Sequence, residues 1–311
     1  MYARITRRTL GATVALAVMA GSTTHGMAQA GSATVRIGTS AHLASISAEG
    51  LAVLGSRYAY IGSSTSNTMY VLDLGAGHSV RWTLPNIQGG QGYAYGMEQM
   101  ALSPDNRTLY FGNLVRGDVV ALDVTGRKPL REILLGSPDR VPVGLEVSAD
   151  NRYLYVQGGN GTDVYDAASG NEIGSIPTAD RIAPASDGTL YGVSFSAGHI
   201  DVHVYDETGN NGRLLAGFDG NTLAQKNGSI ALSPDGRRLY VLWNGLRALD
   251  PRTGRQVGMV TLPLEPSYTG MALAPNGQQA MLWAPDIAGW YETPTDNPQY
   301  IYTHYGFVAG G

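Results

Sequence analysis

The sequence predicts an all-β fold built from repeated four-stranded sheets. Three observations support this prediction: two short motifs recur along the chain, the composition favours strands and turns, and no helical periodicity separates the repeats. The 311 residues include 42 glycines, and only 15% of the chain is charged. This composition suits short strands joined by tight turns better than surface helices rich in Glu and Lys. A hydrophobic content of 43% is typical of an ordered chain.

The first repeated motif reads apolar–Ser–Pro–Asp–Gly, followed two residues later by Leu–Tyr–Val. Its proline fixes φ, its aspartate caps a turn through the side chain, and its glycine adopts a positive φ. The motif therefore predicts a β-hairpin that joins the innermost strand of a sheet to the second strand. The copies lie at 53–62, 102–111, 147–156, 183–193, 232–241 and 273–282.

The second motif reads apolar–x–apolar–Asp and is followed by a turn that usually contains glycine. It is expected to end the third strand of each sheet, before a fourth strand such as 256–262. Its acidic positions are Asp73, Asp123, Asp166, Asp206, Asp250 and Glu292.

Both motifs share one period, which identifies the architecture. The tyrosine position of the first motif recurs about every 44 residues, a spacing typical of β-propeller blades. The sequence thus predicts a β-propeller of six or seven four-stranded blades. Two segments remain, 33–45 and 299–307. Either the N-terminal strand completes the last blade, or the two ends together form a seventh.

The segment "SPDGRRLYV…LRALDPRTGRQVG" (233–258) closely resembles the YVTN repeat of bacterial exported propellers. These propellers belong to the larger quinoprotein amine dehydrogenase β-chain-like group. The resemblance covers about residues 50–297 and implies the propeller fold. It implies several functions at once, because such families include electron-transfer enzyme subunits, binding modules and scaffolds.

Residues 1–30 have the features of a signal peptide. Arg4, Arg7 and Arg8 precede the apolar stretch 10–21, and small residues at 28–30 suit a cleavage site after Ala30. We therefore expect a periplasmic or secreted protein in which 31–311 form a single propeller domain. The segment 6–11 resembles part of a twin-arginine export signal, and ordinary Sec export is the alternative.

Charge and cysteine content exclude several classes of partner. Without residues 1–30, which hold three basic and no acidic residues, the formal charge falls from −4 to −7. An acidic chain argues against nucleic acid, and no later apolar run has the length of a membrane span. The chain contains no cysteine, so it has no disulfide and no thiolate metal site. The expected partner is a small polar ligand or another exported protein.

Candidate ligand-binding residues come from the connections between blades and from the loops between second and third strands. In a propeller these segments meet at one end of the central channel, where aromatic rings beside amides and carboxylates can hold a small polar ligand. The candidates are Tyr93, Tyr95, Glu98, Lys226, Asn227, Trp243, Glu265 and Tyr268.

Metal binding has a weaker basis. His199, Asp201 and His203 alternate along a predicted strand, so their side chains share one face and can ligate zinc or a similar ion. A simple His–Asp hydrogen bond is the alternative. Glu98, Glu146 and Glu265 lie near innermost strands, where converging carboxylates would hold calcium. No other cofactor is predicted.

Two functional hypotheses follow. The first is a binding or scaffold propeller that uses its channel mouth or rim. The second is an enzyme or an enzyme subunit, either a lactonase-like hydrolase or a dehydrogenase propeller chain. The sequence leaves catalysis open, because it contains no nucleophile elbow, no phosphate loop and no metalloprotease motif.

Overall fold

The computed structural model describes the regular part of the chain. The described residues are 52–54, 58–62, 68–73, 78–83, 100–113, 117–135, 142–158, 161–196, 198–219, 228–243, 245–260, 270–273, 279–284, 287–292 and 305–308. They contain 24 strands, which form six four-stranded antiparallel sheets. In this part of the chain no helix has the length and hydropathy needed to cross a membrane. The predicted signal peptide lies outside the described residues.

Sheets I to III follow one another along the chain. Sheet I contains β1 (Ala52–Leu54), β2 (Tyr58–Gly62), β3 (Thr68–Asp73) and β4 (His78–Thr83). Sheet II contains β5 (Met100–Leu102), β6 (Thr108–Asn113), β7 (Asp118–Asp123) and β8 (Lys128–Leu134). Sheet III contains β9 (Gly144–Val147), β10 (Tyr153–Gly158), β11 (Gly161–Asp166) and β12 (Glu172–Ile176).

Sheets IV to VI repeat the same order. Sheet IV contains β13 (Arg181–Pro184), β14 (Leu190–Ser196), β15 (His199–Tyr205) and β16 (Arg213–Asp219). Sheet V contains β17 (Ser229–Leu232), β18 (Leu239–Leu242), β19 (Leu246–Leu249) and β20 (Gln256–Val260). Sheet VI contains β21 (Gly270–Leu273), β22 (Gln279–Ala284), β23 (Ile287–Glu292) and β24 (Tyr305–Val308).

The two sequence motifs lie where they were predicted. The tyrosine position of the first motif falls on the second strand of every sheet, at Tyr60, Tyr110, Tyr155, Tyr191, Tyr240 and Met281. The acidic position of the second motif is the last residue of the third strand or the next residue along the chain. The hairpin and third-strand predictions are therefore confirmed in all six sheets.

The C-terminal strand differs from both expected arrangements of the chain ends. β24 pairs with β23 and completes sheet VI as its fourth strand. Residues 305–307 therefore belong to sheet VI, whereas 299–304 and 33–45 lie outside the described residues, and the choice between six and seven blades stays a prediction. Strand pairing of this kind is non-local, so motif spacing alone does not reveal it.

The sheets stack through their faces, with their first strands side by side. β1 contacts β5, and the contacts continue through β9, β13, β17 and β21. Apolar side chains fill the space between neighbours: Tyr155 and Ile176 of sheet III pack with Ile182 and Leu190 of sheet IV. Equivalent clusters join sheets II and III, IV and V, and V and VI. Sheets II to VI thus pack against one another through apolar side chains, and the first strands of the six described sheets form the inner edge of the stack.

The first motif forms a turn held by its own side chains. In sheet V the Ser233 hydroxyl donates to Asp235 Oδ1 at 2.6 Å and accepts from the Arg238 backbone N–H at 2.9 Å. Gly236 adopts a φ of 70°, which closes the turn. Nearly the same arrangement recurs at Ser103–Thr108 and Ser148–Tyr153. The repeated motif is therefore explained by turn chemistry.

The second motif forms a turn that also packs against the preceding sheet. Asp250 Oδ1 accepts from the backbone N–H groups of Arg252 and Thr253 at 2.9 and 3.0 Å. Gly254 adopts a φ of 72°, and a Cβ at this position would overlap the backbone oxygen of Leu215 on β16. Glycine is required here for its conformation and for the close approach of two sheets.

Candidate functional site

Seven of the eight predicted mouth residues lie outside the described residues, so the predicted channel-mouth site stays a prediction. These seven are Tyr93, Tyr95, Glu98, Lys226, Asn227, Glu265 and Tyr268. The eighth, Trp243, directly follows β18 and has only 2% of its surface exposed. Its ring packs among the apolar side chains between sheets IV and V. The expectation that Trp243 lines an open mouth is corrected, because its ring is part of the core.

A carboxylate on the inner edge of the stack is the strongest described candidate. Glu146 lies on β9 between buried Leu145 and Val147, and its own side chain is exposed. Glu146 pairs with Tyr155, the tyrosine position of the first motif, on the second strand of sheet III. The equivalent residue of another sheet is the first-strand residue that pairs with that sheet's tyrosine position. The other five sheets place small apolar residues there: Val53, Ala101, Ala183, Ala231 and Ala272. Glu146 is thus a single departure from an apolar pattern.

The surroundings of Glu146 change its chemistry. The Glu146 side chain is exposed to solvent, but many protein atoms surround its carboxyl group. The partial desolvation that they cause raises the pKa of Glu146 to about 7. No charge on a described residue contributes to the shift. The strands that contact β9 also carry titratable side chains: Tyr155, which pairs with Glu146 from β10, and Arg181, on β13. At neutral pH this carboxyl therefore exchanges between its neutral and ionised forms.

A second charged residue lies on the neighbouring first strand. Arg181 begins β13, and its guanidinium donates to the backbone oxygen of Asp180 at 2.7 Å. Burial lowers the pKa of Arg181, and the Asp180 carboxylate partly offsets that effect. The Asp180 carboxylate itself accepts from the Phe195 backbone N–H at 2.6 Å. Adjacent inner strands thus carry one acidic and one basic side chain.

A cleft of about 250 Å³ opens at the opposite end of the sheets from the predicted mouth. It lies between the first-motif turns of sheets III and IV, and Asp150, Asp187 and Glu207 contribute its carboxylates. Each carboxylate already has a structural partner. Asp150 accepts from Ser148, Asp187 caps the Thr189 N–H, and Glu207 pairs with Arg152 at 2.6 Å. The cleft is therefore a by-product of turn packing.

The predicted histidine–aspartate group has a different third member. His199 Nε2 lies 2.9 Å from Asp201 Oδ1, and its Nδ1 lies 2.7 Å from Asp219 Oδ1 on β16. These hydrogen bonds raise the pKa of His199, the bond to Asp219 most strongly. His203 instead contacts the Tyr205 ring, with centroids 6.0 Å apart. Among the described residues no group of three or more ligands has the geometry to hold a metal ion.

Comparison with solved structures identifies the architecture. The chain is similar to Kuenenia stuttgartiensis hydrazine synthase, a propeller-containing protein, with a TM-score of 0.60. The fold is a β-propeller. The match covers 76% of this chain and 74% of the other, at 18% sequence identity, so it shows the fold alone. No family model and no curated protein matches the chain, and the resemblance to the YVTN repeat is not confirmed.

Arg247 is a buried charged residue that the sequence motifs do not predict. Arg247 occupies the variable position of the second motif, three residues before Asp250. It has only 8% of its surface exposed, between sheets IV and V. The signal that could have revealed it is the comparison of this position across the repeats: Tyr70, Val120, Asp163, His203 and Gly289 stand there in the other sheets.

Proposed function

We propose that this protein is an exported β-propeller that binds a small polar ligand in its central channel, with Glu146 as a direct contact. One observation carries the proposal: a carboxyl-bearing residue stands on an inner strand, at a position that is small and apolar in the other five described sheets. Desolvation, which raises the pKa of Glu146 to about 7, is consistent with it. The equivalent residues are four alanines and one valine, so Glu146 is the polar group among small apolar side chains of the inner strands. A polar group in apolar surroundings is typical of ligand sites.

The raised pKa indicates the charge of the preferred ligand. Burial disfavours the ionised carboxyl, and a neighbouring cation would favour it again. A ligand with an amine group would therefore bind to the ionised form of Glu146. Since a group of pKa 7 is about one-tenth ionised at pH 6 and nine-tenths at pH 8, the affinity should be roughly ten-fold higher at pH 8.

Acid–base catalysis is the second candidate, and the same residue supports it. A general acid or base works best when its pKa lies near the operating pH, as that of Glu146 does. A hydrolase would need a second group to activate or orient the substrate. Turnover of small esters and lactones by wild type, abolished in Glu146→Gln, would favour the enzyme over the binding protein.

Export belongs to the proposal and has its own test. The basic residues, apolar stretch and small residues of positions 1–30 support a cleaved leader. Sequencing the N-terminus of the protein recovered from outside the inner membrane should give Gly31. Recovery of a chain that still begins at Met1 would contradict export by a cleaved signal.

A ligand screen tests the binding proposal. Thermal unfolding of the mature protein is measured with amines, amino acids and sugars at pH 6 and pH 8. We expect an amine-containing compound to stabilise wild type and to lose this effect in Glu146→Gln. Glu132→Gln, on the exposed face of β8, is the matched control and should bind like wild type. Binding that survives Glu146→Gln, or a screen without any ligand, would overturn the proposal.

A further inference from the structure

Arg247 is a buried cation held between aromatic rings. It is the second residue of β19, and 8% of its surface is exposed. Its guanidinium carbon lies 5.5 Å from the centroid of the Phe218 ring and 5.8 Å from that of Trp243. The Nη1 group donates to the Trp243 backbone oxygen at 2.5 Å. These contacts fix the guanidinium in one place, and such fixation favours ligand recognition.

Arg247 and Trp243 carry more hydrogen-bond donors than the described residues supply acceptors for. A guanidinium carries five N–H donors and remains protonated in proteins. Within the described part of the chain, Arg247 has one hydrogen bond and forms no ion pair. The Nε1–H of Trp243 is also buried without a partner. Both side chains can only donate, so neither satisfies the other.

A buried charge for which the described residues supply no counter-ion is unfavourable. Removing a cation from water is costly unless an anion and hydrogen bonds compensate. Burial accordingly lowers the pKa of Arg247. An oxyanion would supply both the missing charge and the missing acceptors, because its two oxygens match the fork of a guanidinium.

The site is specific to sheet V. Among the six equivalent positions, sheet V alone has an arginine, and sheet IV has a histidine, His203. Arg247 and Trp243 flank the connection between β18 and β19. In sheet V this is also the end at which the chain enters β17 and leaves β20.

We propose that Arg247 and the Trp243 indole N–H form a binding site for a small monocarboxylate. A single negative charge matches the single buried cation, whereas a doubly charged phosphate would bury excess charge. The rings of Phe218 and Trp243 offer apolar contact to the hydrocarbon part of such a ligand. This site is separate from Glu146, and it does not depend on the proposed amine ligand.

Thermal unfolding with acetate, propionate or benzoate tests the site, against chloride at equal ionic strength. We expect carboxylates to stabilise the mature wild type saturably and chloride to have no such effect. Trp243→Phe keeps an aromatic side chain, although a smaller one, and removes the Nε1 donor, so it should weaken binding about five- to ten-fold. Arg247→Gln should abolish it. A wild type that does not distinguish carboxylate from chloride would overturn the proposal.

Two controls separate a binding role from a structural one. Arg181→Gln removes a half-buried arginine, on β13, and should leave carboxylate binding intact. Glu146→Gln should likewise keep it, so failure of the amine hypothesis and failure of this one are distinguishable. If Arg247→Gln does not fold, Trp243→Phe decides: an unchanged affinity in that variant contradicts the site.

Discussion

The turns of this propeller and the two charged positions outside them follow opposite rules. In the turns, sheets II, III and V repeat the same serine and aspartate hydrogen bonds at nearly the same distances. At Glu146 and Arg247, one sheet departs from what the others have in common. A position that repeats is required by every blade and reports on folding. A position that departs in one blade has no such constraint, and there we expect ligand chemistry.

The largest loss of stability should come from an alanine substitution at Gly254, compared with the same substitution at Gly236. The two glycines differ mainly in what surrounds them. Gly254 and Gly236 have almost the same backbone conformation, with φ of 72° and 70°. An added methyl group would overlap the Leu215 backbone oxygen at Gly254 and meets nothing within 4 Å at Gly236. Gly236→Ala should cost about 1 kcal/mol through its conformation, and Gly254→Ala about 3 kcal/mol or more.

Urea unfolding midpoints measure this pair directly. A loss of stability that is equal in the two variants would mean that the sheets do not meet closely at Gly254. The second-motif turn would then stabilise its own sheet only, and the proposed contact between sheets IV and V at this position would be contradicted.

A medium effect should come from the serine of the first motif. Ser233→Ala removes the hydroxyl that donates to Asp235 and accepts from Arg238 N–H, which leaves a backbone donor without its partner. We expect a loss of about 1–2 kcal/mol. Ser186→Ala is the matched control, because this serine is exposed in the corresponding turn of sheet IV. Its substitution should be nearly neutral in the same unfolding assay.

The smallest effect should be a pH-dependent one at His199. Bonds to Asp219 and Asp201 raise its pKa above the ordinary value of 6.5. A raised pKa in the folded state stabilises the protein below pH 6.5 and loses this effect as pH rises through the folded value. His199→Gln should therefore lower Tm at pH 6 and have less effect at pH 9. A Tm difference that is the same at both pH values would exclude this ion pair.

The sequence was sufficient for the parts of the fold that depend on local chemistry. The turn of Ser233–Arg238 is held by side chains within six residues, so its motif predicts the hairpin and the period predicts the stack of sheets. Non-local pairing was not predictable in this way. β24 completes sheet VI, and Asp219 joins His199 from a strand twenty residues away.

The candidate sites were less predictable, because their properties come from neighbours rather than from motifs. Glu146 was recognised as lying near an inner strand, but its raised pKa depends on how the sheets crowd around it. Arg247 lies at the variable position of a motif, where the sequence gives no reason to expect a buried side chain. Trp243 was expected at an open mouth because aromatic residues favour binding sites, and it lies in the core instead.

Titration of the Glu146 carboxyl tests the central claim most directly. The chain contains eight glutamates, so selective ¹³C labelling of their carboxyl carbons gives a tractable NMR spectrum, and Glu146→Gln identifies the signal. A midpoint of about pH 7 is expected, because burial disfavours the ionised form. A midpoint near the ordinary value of 4.5 would mean that Glu146 is a simple solvated side chain. The presence of Glu146 at a position that is otherwise small and apolar would then not indicate a ligand site.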